Sequence, residues 1–185
     1  MRIKSLVHIL KHFIPYAAVL TLTFGIVYVT AQQNMRGYAN SPQIEIAHDG
    51  ARMLEAGNET QSVLLSRRAI DIGKDLAPYV VIFNMNGAPI AGSGLLDGKL
   101  ATPPPGVFVY TGIHGEDRIT WQPRPDVRSA IVVVRVESPE AGFILAGRSL
   151  KETEEQIKRL GDQVLLGWIV SLAILFLTLL VLETV

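Results

Sequence analysis

The chain has no cysteine and no basic run. The first absence excludes disulfides, thiolate metal sites and cysteine nucleophiles. The second argues against a nucleic-acid partner, because 17 Lys+Arg balance 17 Asp+Glu and the net charge is zero. The four histidines do not converge. His8 and His12 stand four apart before the first apolar run, close enough to share a helix face. With no third zinc ligand nearby they read as interfacial residues. His48 falls in a helical pattern and His114 in a Gly-rich loop, and both read as solvent-facing. No Ser-His-Asp arrangement follows from local spacing, and no phosphate-cradling glycine loop follows a strand. The expectation is therefore a protein that is not an enzyme and that holds no metal and no cofactor.

What the chain does have is an uncharged apolar run near each end, Phe13 to Ala31 and Val164 to Leu182. Each approaches the roughly 20 apolar residues that cross a bilayer's hydrocarbon core. Two spans put both termini on one side and residues 32–163 on the other. Arg2, Lys4 and Lys11, with no acid among residues 1–12, place the N-terminus in the cytoplasm by the positive-inside tendency. Tyr16, Tyr28 and Trp168 fit interfacial positions. The expected order is thus a cytoplasmic stretch 1–12, spans 13–31 and 164–182, an extracytoplasmic domain 32–163 and a cytoplasmic end 183–185. Val29-Thr30-Ala31 also fits a signal-peptide cleavage site. The apolar run, however, exceeds the 7–15 residues of a signal core, which favours an uncleaved anchor.

The segment between the spans is long enough for one small domain. Ser41-Pro42 reads as a helix start, with Ile44, Ala47, Ala51 and Leu54 at helical spacing and Gly57 as the stop. A second helix is expected from Glu59 to Ala77 through Val63, Ile70 and Gly73, with Arg67, Arg68, Lys74 and Asp75 adding charge. Tyr79 to Phe83 reads as a buried strand, Asn86-Gly87 as a turn and Pro89-Ile90-Ala91 as a return strand. Asp97-Gly98 marks another turn, and Thr102 to Gly106 a stiff extended loop. Val107 to Tyr110, Asp117 to Gln122, Ser129 to Val136 and Phe143 to Gly147 are read as strands, with a turn at Ser138 to Gly142. Ser149-Leu150-Lys151-Glu152 has the spacing of a capping box. From there Leu150, Ile157, Leu160 and Val164 keep helical or heptad spacing into the second span, with Gly161 the one breaker. Small residues recur in both spans, at Ala17, Thr21 and Gly25 and at Gly167, Ser171 and Thr178. Such faces pack helices closely in lipid, either the two spans together or a dimer.

Two helices, about five antiparallel strands and a helix entering the membrane resemble the layout of PAS-like and Cache-like extracytoplasmic sensor domains. The phrases Ala39-Asn40-Ser41-Pro42-Gln43, Gly94-Leu95-Leu96-Asp97-Gly98, Thr120-Trp121-Gln122-Pro123, Val127-Arg128-Ser129-Ala130 and Gly147-Arg148-Ser149-Leu150 carry the likeness. They resemble small bacterial membrane proteins and the sensor portions of membrane histidine kinases and chemoreceptors. The resemblance implies an α+β fold with a five-stranded antiparallel PAS/Cache-like sheet, N-terminal helices and two flanking transmembrane helices. It implies a module in the bacterial cell membrane that binds a small ligand or protein and relays a conformational change through its spans. Because the sequence stops shortly after the second run, a signal is expected to pass to a membrane signalling partner or through a homodimer. The alternative is a non-sensing accessory or scaffold subunit. In such sensors the ligand lies on a concave sheet face. Arg128 and Arg148 are therefore the expected carboxylate clamp, with Trp121 and Tyr110 as walls. The competing reading pairs these arginines with Asp117, Asp126 or Glu152 and leaves Trp121 in the core.

Overall fold

The computed structural model describes residues 3–64, 68–139 and 141–184. Arg2, Arg67, Glu140 and Val185 lie outside them. The chain divides into two compact units, residues 37–153 and a second made of residues 1–36 with 154–185.

The first unit is α+β. Helix α1 (Ile3–Glu55) supplies its C-terminal part, followed by the short α2 (Thr60–Leu64). Strands β1 (Ile70–Asp71), β2 (Tyr79–Phe83), β3 (Pro89–Gly92), β4 (Gly94–Leu96) and β5 (Lys99–Leu100) come next. Helix α3 (Pro105–His114) then precedes β6 (Glu116–Arg124), β7 (Val127–Arg135) and β8 (Phe143–Ser149), and α4 (Lys151–Thr184) leaves the unit. The main sheet has five antiparallel strands in the order β3-β2-β8-β7-β6. A smaller three-stranded sheet has the order β1-β4-β5. It closes through the Asp97-Gly98 turn, whose φ angles of 51° and 78° are those of a two-residue hairpin loop.

The interior strand β2, between β3 and β8, is a continuous apolar run because both sheet faces are covered. Val80 and Ile82 join Val132, Val134, Ile144 and Ala146 under Ala47, Ala51 and Leu54 of α1. Tyr79, Val81 and Phe83 join Ile131, Val133 and Leu145 under Val107 and Phe108 of α3. The α1 seam is small where it meets the sheet. A β-carbon at Gly50 would stand 2.3 Å from Ile144 Cδ1.

Four expectations are corrected. First, no new helix starts at Ser41. Helix α1 continues through Gly37 and Pro42, two residues that weaken a helix interior by about 1 and 3 kcal/mol. Burial of Ala47, Ala51 and Leu54 against the sheet outweighs that local cost on the following turns. Second, residues 68–77, expected to continue the helix, are not helical: α2 spans Thr60–Leu64, and β1 and turns occupy the described residues that follow. Ile70 and Ile72 instead alternate into the core, and the Asp71 carboxylate accepts a hydrogen bond from the Gly73 amide at 2.9 Å, which turns the chain. Third, Val107 to Tyr110 is helical. Pro105 starts α3, and Val107, Phe108 and Thr111 are buried at helical spacing. Packing on Phe83 and Phe143 overrides the strand preference of Val107 and Val109. Fourth, the capping box does not close. Ser149 Oγ accepts from the Lys151 amide at 3.3 Å, but Glu152 accepts from Arg148 at 2.8 Å.

The second unit is a pair of apolar helical segments, the early part of α1 and the later part of α4. Both helices are long and apolar enough to cross a membrane. Gly161 does not interrupt α4. The segments pack antiparallel, with the Phe13 and Phe176 rings edge-to-face at 5.9 Å and Trp168 Nε1 donating to Thr21 Oγ1 at 3.0 Å. Gly161 and Gly167 make room for Tyr28 and Phe24. Ser171 and Thr178 donate to carbonyls one turn back, so their hydroxyls are satisfied within the helix.

Candidate functional site

The four residues expected to form a clamp do not surround one space. Strand alternation explains why. Trp121 and Ser129 are paired across β6 and β7 and face the α3 side, where Trp121 is 8% exposed in the core. Arg128 precedes Ser129 and points to the other face. Arg148, opposite Ala130, shares that other face and is engaged by Glu152 on its own chain segment. Tyr110 sits on α3 rather than on a neighbouring strand, with its ring stacked on His114 at 4.0 Å. His114 therefore lies against a ring, and its Nδ1–H donates to the Tyr110 carbonyl at 3.0 Å. His48 is not simply solvated either, since its Nε2 meets Glu116 Oε2 at 3.1 Å. Arg118, hydrogen-bonded to the same carboxylate, holds Glu116 below the usual carboxylate range, with His48 adding to the effect.

Three buried polar side chains have no hydrogen-bond partner among the described residues: Gln43, Tyr79 and Ser129. Tyr79 is wedged between two glycines. A β-carbon at Gly94 would stand 2.3 Å from its ring, and one at Gly147 would stand 2.6 Å from its hydroxyl. Burial pushes the phenol up to about 12, and the neighbouring Ser129 hydroxyl, though outside bonding geometry, opposes the shift only in part. These groups lie inside packed layers. A notch of about 170 Å³ beside Gly50, Met53 and Val80 is smaller than the roughly 300 Å³ at which small-molecule pockets begin. In the helix-pair unit a groove of about 340 Å³ runs between Phe24, Gly25 and Tyr28 on one side and Gly161, Leu165 and Trp168 on the other. It is lined almost wholly by apolar groups, which suits hydrocarbon rather than a polar ligand.

The surface that stands out is the outer side of α3. From Ala101 to Gly115 the sequence carries no Asp, Glu, Lys or Arg. One face of the helix is core, yet Val109, Tyr110 and Ile113 are 64%, 48% and 74% exposed on the other. A helix apolar on all sides is ordinarily covered on all sides. These three exposed residues share one side of one helix, unlike the singly scattered apolar residues that are usual and uninformative on a protein surface. The signal was present in the sequence as the uncharged stretch, but reading Val107 to Tyr110 as a strand hid it. No protein-family model and no curated protein matches the chain.

Proposed function

We propose that the chain is a two-span membrane protein whose sheet domain lies outside the cell, docks a protein on the outer side of α3 and relays the docked state through α4. The observation that carries the docking reading is the uncharged α3 with Val109, Tyr110 and Ile113 exposed over an already filled sheet face. A small-ligand sensor needs room against the sheet, and both faces of this sheet carry apolar core. That favours a protein over a small molecule as the input. The relay reading is supported by chain order. Strand β8 lies at the centre of the sheet, and Leu150 alone separates its last residue, Ser149, from Lys151 at the start of α4. A docked partner shifts such an element only by favouring one of two arrangements. The five-stranded antiparallel sheet between membrane-length helices supports the PAS/Cache-like reading, although fold likeness does not transfer activity. An accessory subunit would use the same docking surface without the relay.

The test is a photoreactive residue placed at Ile113 in the full chain in native membranes, with exposed Lys99 as the control position. A protein adduct at position 113 that is absent at position 99 is expected. No adduct at 113, or the same adducts at both positions, refutes the docking surface.

A further inference from the structure

We infer that the groove between the two membrane-length segments holds a phospholipid, with an acyl chain along the groove and the phosphate at its end, on Tyr28 and Lys158. The inference rests on the two-span part of the proposed function and is independent of docking on α3. The groove of about 340 Å³ runs from the hydrogen bond between Trp168 and Thr21 to the place where Gly161 makes room for Tyr28. On α4 this stretch, residues 161–168, covers about 10 Å of helix. Spread over that length, the volume is a channel roughly 6 Å wide. A helix, about 10–12 Å across with its side chains, does not fit such a channel. A single hydrocarbon chain does, since apolar atoms touch at about 4.0–4.5 Å. Gly25 keeps the channel open, because a β-carbon there would meet nothing within 4 Å.

The two ends of the groove differ in chemistry. At the Trp168 end the polar atoms are already used. Thr21 Oγ1 donates to the Ala17 carbonyl at 2.8 Å and accepts from Trp168 Nε1 at 3.0 Å. That end offers a ligand only apolar contact. At the other end Tyr28 lines the groove, and its hydroxyl has no hydrogen-bond partner among the described residues. Helical spacing brings Gln32 and Lys158 to the same side one turn further on. Gln32 stands four residues after Tyr28, and Lys158 stands three before Gly161 and seven before Leu165. Neither side chain has a hydrogen bond or an ion pair among the described residues, whereas the adjacent Arg159 is paired with Glu155 at 3.6 Å. A phenol, an amide and an ammonium are all donors to a phosphate oxygen. Residues 32 and 158 also lie just outside the apolar runs 13–31 and 164–182, at the level where a lipid carries its phosphate. Asp162, four residues after Lys158, is likewise without an ion pair among the described residues. A head with one phosphate and an amine meets both charges, while a head with several phosphates is repelled by the carboxylate.

The test weighs the full chain with its bound lipid by native mass spectrometry, after extraction from native membranes in a mild detergent. One phospholipid per chain should survive extraction. Gly25→Leu fills the channel and should lower that occupancy about tenfold. The paired change Tyr28→Phe and Lys158→Gln leaves the channel open and removes two phosphate donors. Once delipidated, this variant should bind dioleoyl phosphatidylethanolamine about tenfold more weakly than the parent does. It should bind dioleoylglycerol, which has the same chains and no phosphate, as the parent does. Equal occupancy in the parent and Gly25→Leu overturns the groove as the site. Unchanged affinity of the paired variant for phosphatidylethanolamine overturns the phosphate contact. Binding of inorganic phosphate alone by the delipidated parent, as tight as that of the lipid, overturns the lipid as the ligand. A chain washed off membranes by carbonate loses the two-span reading and the lipid site with it. A chain that stays in the membrane yet carries no phospholipid loses the lipid site only.

Discussion

Replacing Tyr79 by Phe should stabilise the protein although it deletes a polar atom from the centre of the sheet. The phenol is almost wholly buried, and its hydroxyl has no hydrogen-bond partner among the described residues. A buried unsatisfied group of this kind costs about 1–3 kcal/mol in lost hydration. Phenylalanine keeps the ring that fills the space left by Gly94 and Gly147, so no comparable packing loss offsets the gain. A gain of about 1–2 kcal/mol is expected at neutral pH, or several degrees in the unfolding midpoint. The pH dependence gives a second, independent reading. The folded phenol titrates at about 12 against 10.0 for an unburied tyrosine, so between those values the unfolded chain has released the proton and the folded chain keeps it. Stability carried by this group is complete below pH 10 and is lost as pH rises through the folded value, by up to about 2.7 kcal/mol for two units. The variant lacks this loss, so its advantage over the parent should widen from pH 9 to pH 11. The assay is urea unfolding of the full chain in detergent, followed by Trp121 fluorescence in a Trp168→Phe background, since the chain has two tryptophans. A variant less stable than its parent by more than about 1 kcal/mol would mean that the hydroxyl has a partner worth an ordinary buried hydrogen bond. An advantage that is flat with pH would mean the phenol is not held in an apolar layer.

Other substitutions separate packing from surface chemistry. Gly147→Ala should cost about 1–3 kcal/mol, because its methyl group meets the Tyr79 ring inside the core, whereas Gly50→Ala should cost less because it meets the movable end of Ile144; the same unfolding assay compares them. Arg148→Ala should change stability by less than about 1 kcal/mol, since its pair with Glu152 is only half-buried and lies within one helical turn, and a larger loss would make it an anchoring residue. Ile113→Glu should leave the unfolding midpoint within about 0.5 kcal/mol of the parent while abolishing the photo-adduct at a probe placed at Val109. Thr21→Val should loosen the helix pair by about 0.6 kcal/mol through loss of the Trp168 hydrogen bond, read as a weaker association of the two segments in a detergent titration.

The fold was legible where local pattern and tertiary environment agree. Tyr79 to Phe83 is uniformly apolar because both sides of β2 are buried, and Asn86-Gly87 turns where glycine is needed, with Gly87 at φ 75°. The two membrane-length helices follow from length and hydropathy alone. Residues 68–77 and Val107 to Tyr110 depart from their sequence reading because local preference and packing disagree there. Ile70 and Ile72 fit a helical face as well as a strand until the Asp71 turn is known, and Val107 and Val109 favour a strand until Phe83 and Phe143 are placed beneath the helix. The four expected clamp residues are not brought together, for a different reason. Arg128 and Arg148 share a sheet face, but Trp121 is on the opposite one, and that follows from the pairing register of Trp121 with Ser129, which spacing along the chain does not fix. The exposed side of α3 was visible in the sequence only as a stretch without charge.

Labelling of single cysteines by a membrane-impermeant maleimide in intact cells tests the central claim most directly, because one experiment reads both the side of the membrane and the cover on α3. Lys99→Cys should react in intact cells. Ile113→Cys, more exposed in the isolated chain than most large apolar residues of the domain, should react much more slowly there and catch up once detergent disperses the assembly. Equal labelling of both positions in intact cells would leave the α3 surface bare and contradict the docking account, and labelling of neither until the membrane is breached would put the sheet domain on the wrong side.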